Sequence, residues 1–274
     1  MSTIDGAALV EANGTTFHVE VTGHGTPVLL VPGAGGDARQ YAELAQVLAQ
    51  NHAVIAYDRR NNGRSSQQPD WAETSVDQHA GDVVALLEQL GTEPCIVFGN
   101  STGALIALAA ALKAPGRFTG AVLHEPALLG VLANPDDAMA TVQPVIAAGV
   151  ETGGLAGGAE AFVQFAAGDA AALLPPDFLD GLRTSARVLL EAEFGAFASW
   201  RPEPVALSGM SVPLAVLSAE QTAPFFVEAA EWLASHTGVS RRTVAGGHMG
   251  FLDHAGELAK EIDAMFRQSA NAGG

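Results

Sequence analysis

The chain of 274 residues has one cysteine, two lysines, two tyrosines and no long apolar run. Each scarcity excludes something. A lone cysteine, Cys95, cannot form an intramolecular disulfide, and inside an apolar run it reads as a small buried side chain, not a reactive thiol. Lysine supplies only Lys113 and Lys260 of the 13 basic residues, against 30 acidic ones, for a formal charge of −17. Such a surface repels polyanions, so neither nucleic acid nor an anionic membrane is expected as a partner. No stretch approaches the roughly 18 uninterrupted apolar residues of a membrane span. Met1 to Gly6 carries no basic region followed by an apolar one, so a cytoplasmic location is expected. No two histidines have metal-ligand spacing, no H-E-x-x-H occurs, and there is no dinucleotide fingerprint, so neither metal nor cofactor is expected. Gly153 to Gly158 is glycine-rich like a phosphate loop. It lacks the Lys-Ser/Thr ending and a preceding strand, and is expected to link two helices.

What is present is a folding composition. Hydrophobic residues make up 48% and charged residues 16%, enough for one large domain, or a domain with an insertion, around a sizeable core. Short apolar runs alternate with helical periodicity. Strands are expected at Thr16 to Val21, Val28 to Val31, Ala53 to Tyr57, Cys95 to Phe98, Ala121 to His124, Leu214 to Leu217 and Val239 to Val244. Helices are expected at about 37–50, 75–90, 104–112, 225–235 and 255–267, with a loose tail from Asn271. Alternation stops between Ala127 and Val212, where only helical patterns occur, at about 135–149, 159–167 and 175–199. The pattern predicts a mostly parallel sheet covered on both faces (residues 1–126 and 213–274) with a helical cap insertion, 127–212.

Within this frame Gly99-Asn100-Ser101-Thr102-Gly103 stands between a strand and a helix. A turn that sharp strains its middle residue and needs small neighbours, which Gly99 and Gly103 provide. Ser101 then stands clear of the backbone as a candidate nucleophile, and the Thr102 amide can face charge growing on a substrate oxygen. A serine hydroxyl needs a base, and the base needs an anion to fix its tautomer. His248 follows a late strand through Gly246-Gly247 and fits as that base. Ser101, Glu125 and His248 all sit at the carboxyl ends of strands, where active groups of such sheets gather.

With those residues in place the chain resembles the α/β-hydrolase family over nearly its whole length. Pro32 to Gly36 matches the oxyanion loop, Tyr57 to Arg60 with Gly63-Arg64-Ser65 a structural turn, Gly99 to Gly103 the nucleophile elbow, and Gly246-Gly247-His248 the base loop. The resemblance implies Ala34 and Thr102 as oxyanion-hole amides, and a triad of serine, acid and histidine. Two positions depart from the pattern. Pro32-Gly33 replaces the common His-Gly, which leaves the main-chain donors intact. The common acid position falls on Gln221, which cannot be an anion, leaving Glu125 and Glu220 as candidates. Glu125 is preferred, because some members carry the acid there and a strand-end carboxylate in an apolar edge is costly unless paired. The set resembles the fungal-type lactonases that open the macrolide ring of zearalenone, and a broader group of hydrolases with Glu-Pro at this point. It implies a serine hydrolase, monomer or homodimer, acting on a small hydrophobic ester or lactone. Gly33, His124, Met249 and Phe225 are expected to line the pocket. A cofactor-free perhydrolase would use the same triad, and the missing aspartate leaves room for a ligand-binding member without turnover.

Overall fold

A computed structural model describes residues 6–272. Eight strands form one sheet: β1 (Gly6–Ala12), β2 (Thr15–Thr22), β3 (Thr26–Val31), β4 (His52–Tyr57), β5 (Cys95–Asn100), β6 (Phe118–His124), β7 (Leu214–Gln221) and β8 (Arg241–Gly247). Their spatial order is β1-β2-β4-β3-β5-β6-β7-β8. β1 and β2 pair antiparallel with each other and β2 pairs antiparallel with β4, whereas β4 through β8 are parallel. Strand β5, which leads to Ser101, lies mid-sheet between β3 and β6.

Its side chains explain the continuous apolar runs. On β3 Leu29 and Val31 enter one core layer while Val28 and Leu30 enter the other. On β5 Val97 and the buried Phe98 divide likewise. A strand buried on both faces has no polar alternation to display. Cys95 is fully buried in the first layer, and burial pushes its thiol up to about 12.

Helices α1 (Ala42–Leu48), α2 (Val76–Gln89), α3 (Thr102–Lys113), α8 (Pro224–Thr237) and α9 (Ala255–Ala272) cover the sheet. α2 starts with Ser75 accepting from the Gln78 amide, a side-chain N-cap. α9 takes in Asn271 and Ala272, which the sequence leaves in the tail; Gly273 and Gly274 lie outside the described residues. β1 goes unread in the sequence. It is an edge strand whose burial alternates between half-buried and exposed, and Ala-Ala-Leu-Val carries no polar alternation.

Between β6 and β7 the chain is helical, in α4 (Pro135–Ala167), α5 (Pro176–Arg187), α6 (Phe194–Ala198) and α7 (Pro204–Ser208). α4 is broken at Gly153 and Gly154, whose φ/ψ values leave the helical region, so the glycine run is a kink between two helical halves. A π-helical turn, Val188–Glu193, joins α5 to α6. Among the described residues no helix is long and apolar enough to cross a membrane.

Candidate active site

Ser101 occupies the apex between β5 and α3 with φ 56° and ψ −124°, a region L-residues rarely adopt. The turn is over-determined, as strained backbone must be. The Ser101 amide donates to the His124 carbonyl at 3.0 Å, and its carbonyl accepts from Ala104 at 3.1 Å and Ala127 at 3.3 Å. The flanking glycines have no substitutes. A Cβ on Gly99 would stand 2.3 Å from the Gly103 carbonyl oxygen, and one on Gly103 would stand 2.3 Å from that of Val31. The Ser101 side chain makes no capping bond to α3, so its hydroxyl is not drawn back to its own helix.

His248 leaves the end of β8 and lines the same cavity as Ser101. Its Nδ1 donates to Glu125 Oε2 at 3.3 Å. That is longer than the usual charge-assisted bond, a slack common in catalytic hydrogen bonds before substrate tightens them. A carboxylate only accepts, so Nδ1 carries the proton and Nε2 is left as the acceptor. One face of the imidazole is stacked on Phe226, with ring centroids 4.2 Å apart and planes 19° apart. The loop itself is anchored beside Ser101, where Asn100 Nδ2 donates to the His248 carbonyl at 2.8 Å.

Glu125 follows β6 with φ 51° and is fully buried. Its Oε1 accepts from the Ala219 amide at 2.7 Å, and its Oε2 accepts from the Thr222 hydroxyl. Burial works to raise its pKa. The hydrogen bond from His248, the positive charge that His248 and His124 carry when protonated, and the Thr222 hydroxyl outweigh it, and the carboxyl is held below the usual range. The loop that lacks the expected aspartate thus still holds the Glu125 carboxylate, through the amide of Ala219 and the hydroxyl of Thr222. Glu220 is exposed and faces a separate surface depression with Ala219, Pro224 and Val227.

Ser101, Thr102, Ala34 and His248 line one cavity of about 360 Å³. The helical insertion contributes Met139, Phe162, Phe194 and Phe197 to its wall, and α8 contributes Phe225 and Phe226. Met249 also lines it, as the sequence suggests. Two other expected lining residues stand behind the wall. Gly33 backs the elbow, where a Cβ would meet the Asn100 carbonyl oxygen at 2.9 Å. His124 is fully buried, its Nδ1 accepting from Asn100 Nδ2 at 3.0 Å, and burial lowers its pKa to about 4. Neither is among the lining residues: Gly33 is packed against the backbone of the elbow and His124 is enclosed at the end of β6. Asn100, Thr222 and Phe226 go unassigned in the sequence. Asn100 lies inside the elbow motif, and that adjacency to Ser101 is the one local signal any of them carries.

Residues 26–231 match the model of a family described as alpha/beta hydrolase fold. The chain is 36% identical over 123 residues to the uncharacterized hydrolase YraK of Bacillus subtilis (strain 168), covering 45% of each chain. It is 31% identical over 116 residues to the zearalenone hydrolase of Bionectria ochroleuca, covering 41% of this chain and 44% of that one. Each match spans less than half of the relative's length. Among solved structures, carboxylesterase CesB (YbfK) from Bacillus subtilis superposes with TM-score 0.74 at 19% identity, over 96% of this chain and 92% of that one.

Proposed function

We propose that this chain, which belongs to the alpha/beta hydrolase fold family, is a serine hydrolase that cleaves a carboxylic ester or lactone through an acyl-enzyme. The observation that carries the reading is the bond from His248 Nδ1 to the buried Glu125 carboxylate, in a residue that shares its cavity with the strained Ser101. That bond fixes the tautomer a general base needs. Ser101 Oγ attacks the carbonyl carbon while His248 Nε2 takes its proton. The oxyanion rests on the amides of Ala34 and Thr102, and Glu125 stabilises the imidazolium. His248 returns the proton to the leaving alcohol as the tetrahedral intermediate collapses. Water then repeats the sequence on the acyl-enzyme and releases the acid.

The substrate reading follows from the wall. Its apolar residues dominate, and no lysine or arginine is among the lining residues to pair a carboxylate or phosphate. A cavity of about 360 Å³ lies at the small end of ligand pockets. Asp169, Glu193 and Asp253 on the same wall would repel an anion further. The substrate is therefore a small, hydrophobic ester or lactone without negative charge, with the helical insertion as cap over it. The name of the zearalenone hydrolase relative puts a macrolide lactone among the candidates. The test is a panel of neutral esters and lactones run on wild type beside Ser101→Ala. Turnover of panel members by wild type and none by the variant supports the reading; turnover by Ser101→Ala sinks it.

A further inference from the structure

Arg59 follows β4 and is fully buried, and its guanidinium reaches two places at once. Nη1 and Nη2 donate to the two oxygens of Glu193, each at 2.7 Å, and Nη2 also donates to the Gly33 carbonyl at 3.0 Å. Glu193 ends the π-helical turn of the insertion and lines the cavity. Such turns are rare and recur at functional sites. Asn62 Nδ2 donates to Glu193 as well, at 2.8 Å, so both carboxylate oxygens are engaged.

The Gly33 carbonyl and the Ala34 N–H belong to one peptide unit. That unit is trans and planar, so the two groups point opposite ways. Whatever holds the Gly33 oxygen aims the Ala34 amide. The Gly36 amide also donates to the Gly33 oxygen at 3.0 Å, closing a turn in which Gly35 has φ 81°, the value a type II turn takes at its third residue. Arg59 grips the far end too, its own amide donating to the Gly36 carbonyl at 2.7 Å. Stability alone is a poor reason for the charged pair, because desolvation offsets most of the attraction between buried ions.

We infer that Arg59 is a positioning residue. Clamped by Glu193 from the insertion, it sets the aim of the Ala34 amide, so the oxyanion hole is complete only with the insertion in place. This rests on the serine-hydrolase reading above.

The test is the double variant Arg59→Met with Glu193→Leu, which removes both charges and leaves neither buried alone. Expected are a melting temperature close to wild type, KM within about threefold, and kcat lowered at least about tenfold. Loss of a whole oxyanion donor costs about 10²–10³-fold, and a loosened one keeps part of its effect. Phosphonylation of Ser101 by a fluorophosphonate should slow by a similar factor, since the phosphonyl oxygen occupies the same hole. A merely structural role would move the melting temperature and leave kcat in place. A folded double variant with wild-type kcat overturns the inference. Arg59→Lys provides the second arm if the double variant does not fold. One nitrogen, Nη2, bridges the Gly33 carbonyl and Glu193 Oε2. The shorter lysine side chain stops short of that point and has no planar fork for Glu193, so a kcat loss in the same direction is expected, and wild-type kcat overturns the inference. Ser101→Ala runs in parallel. If it keeps turnover, the serine reading fails; if it loses turnover while the Arg59 variants keep theirs, only the positioning inference fails.

Discussion

Glu125→Gln is the substitution that separates a triad acid from a hinge residue. The side chain keeps its volume, and its amide oxygen can still accept from Ala219, as Glu125 Oε1 does at 2.7 Å. The amide nitrogen then faces Thr222 and His248 Nδ1, in place of Oε2. A nitrogen donor there requires Nδ1 to accept, which moves the imidazole proton to Nε2. The base can no longer take the Ser101 proton. Wrong-tautomer substitutions in serine triads cost on the order of 10⁴ in kcat, about 5.5 kcal/mol at about 1.36 kcal/mol per decade. The Glu125–His248 bond is long, at 3.3 Å, so a fall of about 10³- to 10⁴-fold is expected. KM should change little, because Glu125 lies behind the cavity wall. The assay is steady-state hydrolysis of a chromogenic ester at neutral pH, with Glu220→Gln alongside. Glu220 is exposed and off the cavity, so its variant should stay within about twofold of wild type. Retention of kcat within about tenfold by Glu125→Gln, or a larger loss in Glu220→Gln, would refute the assignment.

Further outcomes follow from the elbow and its backing. Gly99→Ala and Gly103→Ala each place a Cβ 2.3 Å from a backbone oxygen. Each should cost about 3 kcal/mol or more, read as a lowered denaturation midpoint. His124 has its pKa lowered to about 4, against about 6.5 in the unfolded chain. The unfolded state therefore binds the extra proton between those values, and stability falls as pH drops from about 6.5 to about 4. At about 1.36 kcal/mol per unit the His124 share is up to about 3 kcal/mol. Thermal melts of His124→Gln across that range should be flatter than those of wild type, and parallel curves would count against it. Glu125 works in the lower range. Its carboxyl is held below the usual value, so its stabilisation is present above about pH 4.3 and lost as pH falls through the depressed value. Glu125→Gln should remove that component from the acid limb.

The fold could be read from the sequence where burial imposed a period. Strands β3 to β7 are short apolar runs because both sheet faces are covered, and the helical insertion announced itself when alternation stopped. Edge strand β1 escaped because its exposed side places no demand on its residues. At the site, Ser101 and His248 were marked in the sequence by glycine-rich local turns, and the structure places both on one cavity. For the acid, the resemblance left Glu125 and Glu220 open; the structure puts Glu125 in the bond to His248 and Glu220 on the surface. The groups that hold these residues were not marked in the sequence. Thr222, Asn100 and Phe226 act across long separations through single bonds or one ring face, and no spacing rule marks such contacts. Arg59 and Glu193 are 134 positions apart and meet only because the insertion folds back on the β4 turn. Gly33 and His124, expected at the pocket, are not among its lining residues. Adjacency to a functional residue in sequence does not say on which side of the wall a strand end turns.

The central claim is that Ser101 is an activated nucleophile. The most direct measurement is intact-protein and peptide mass spectrometry after treatment with a fluorophosphonate. The account predicts one adduct, located on Ser101, appearing in step with loss of hydrolysis and absent from Ser101→Ala. No adduct on Ser101, or hydrolysis that survives full labelling of it, would contradict the account.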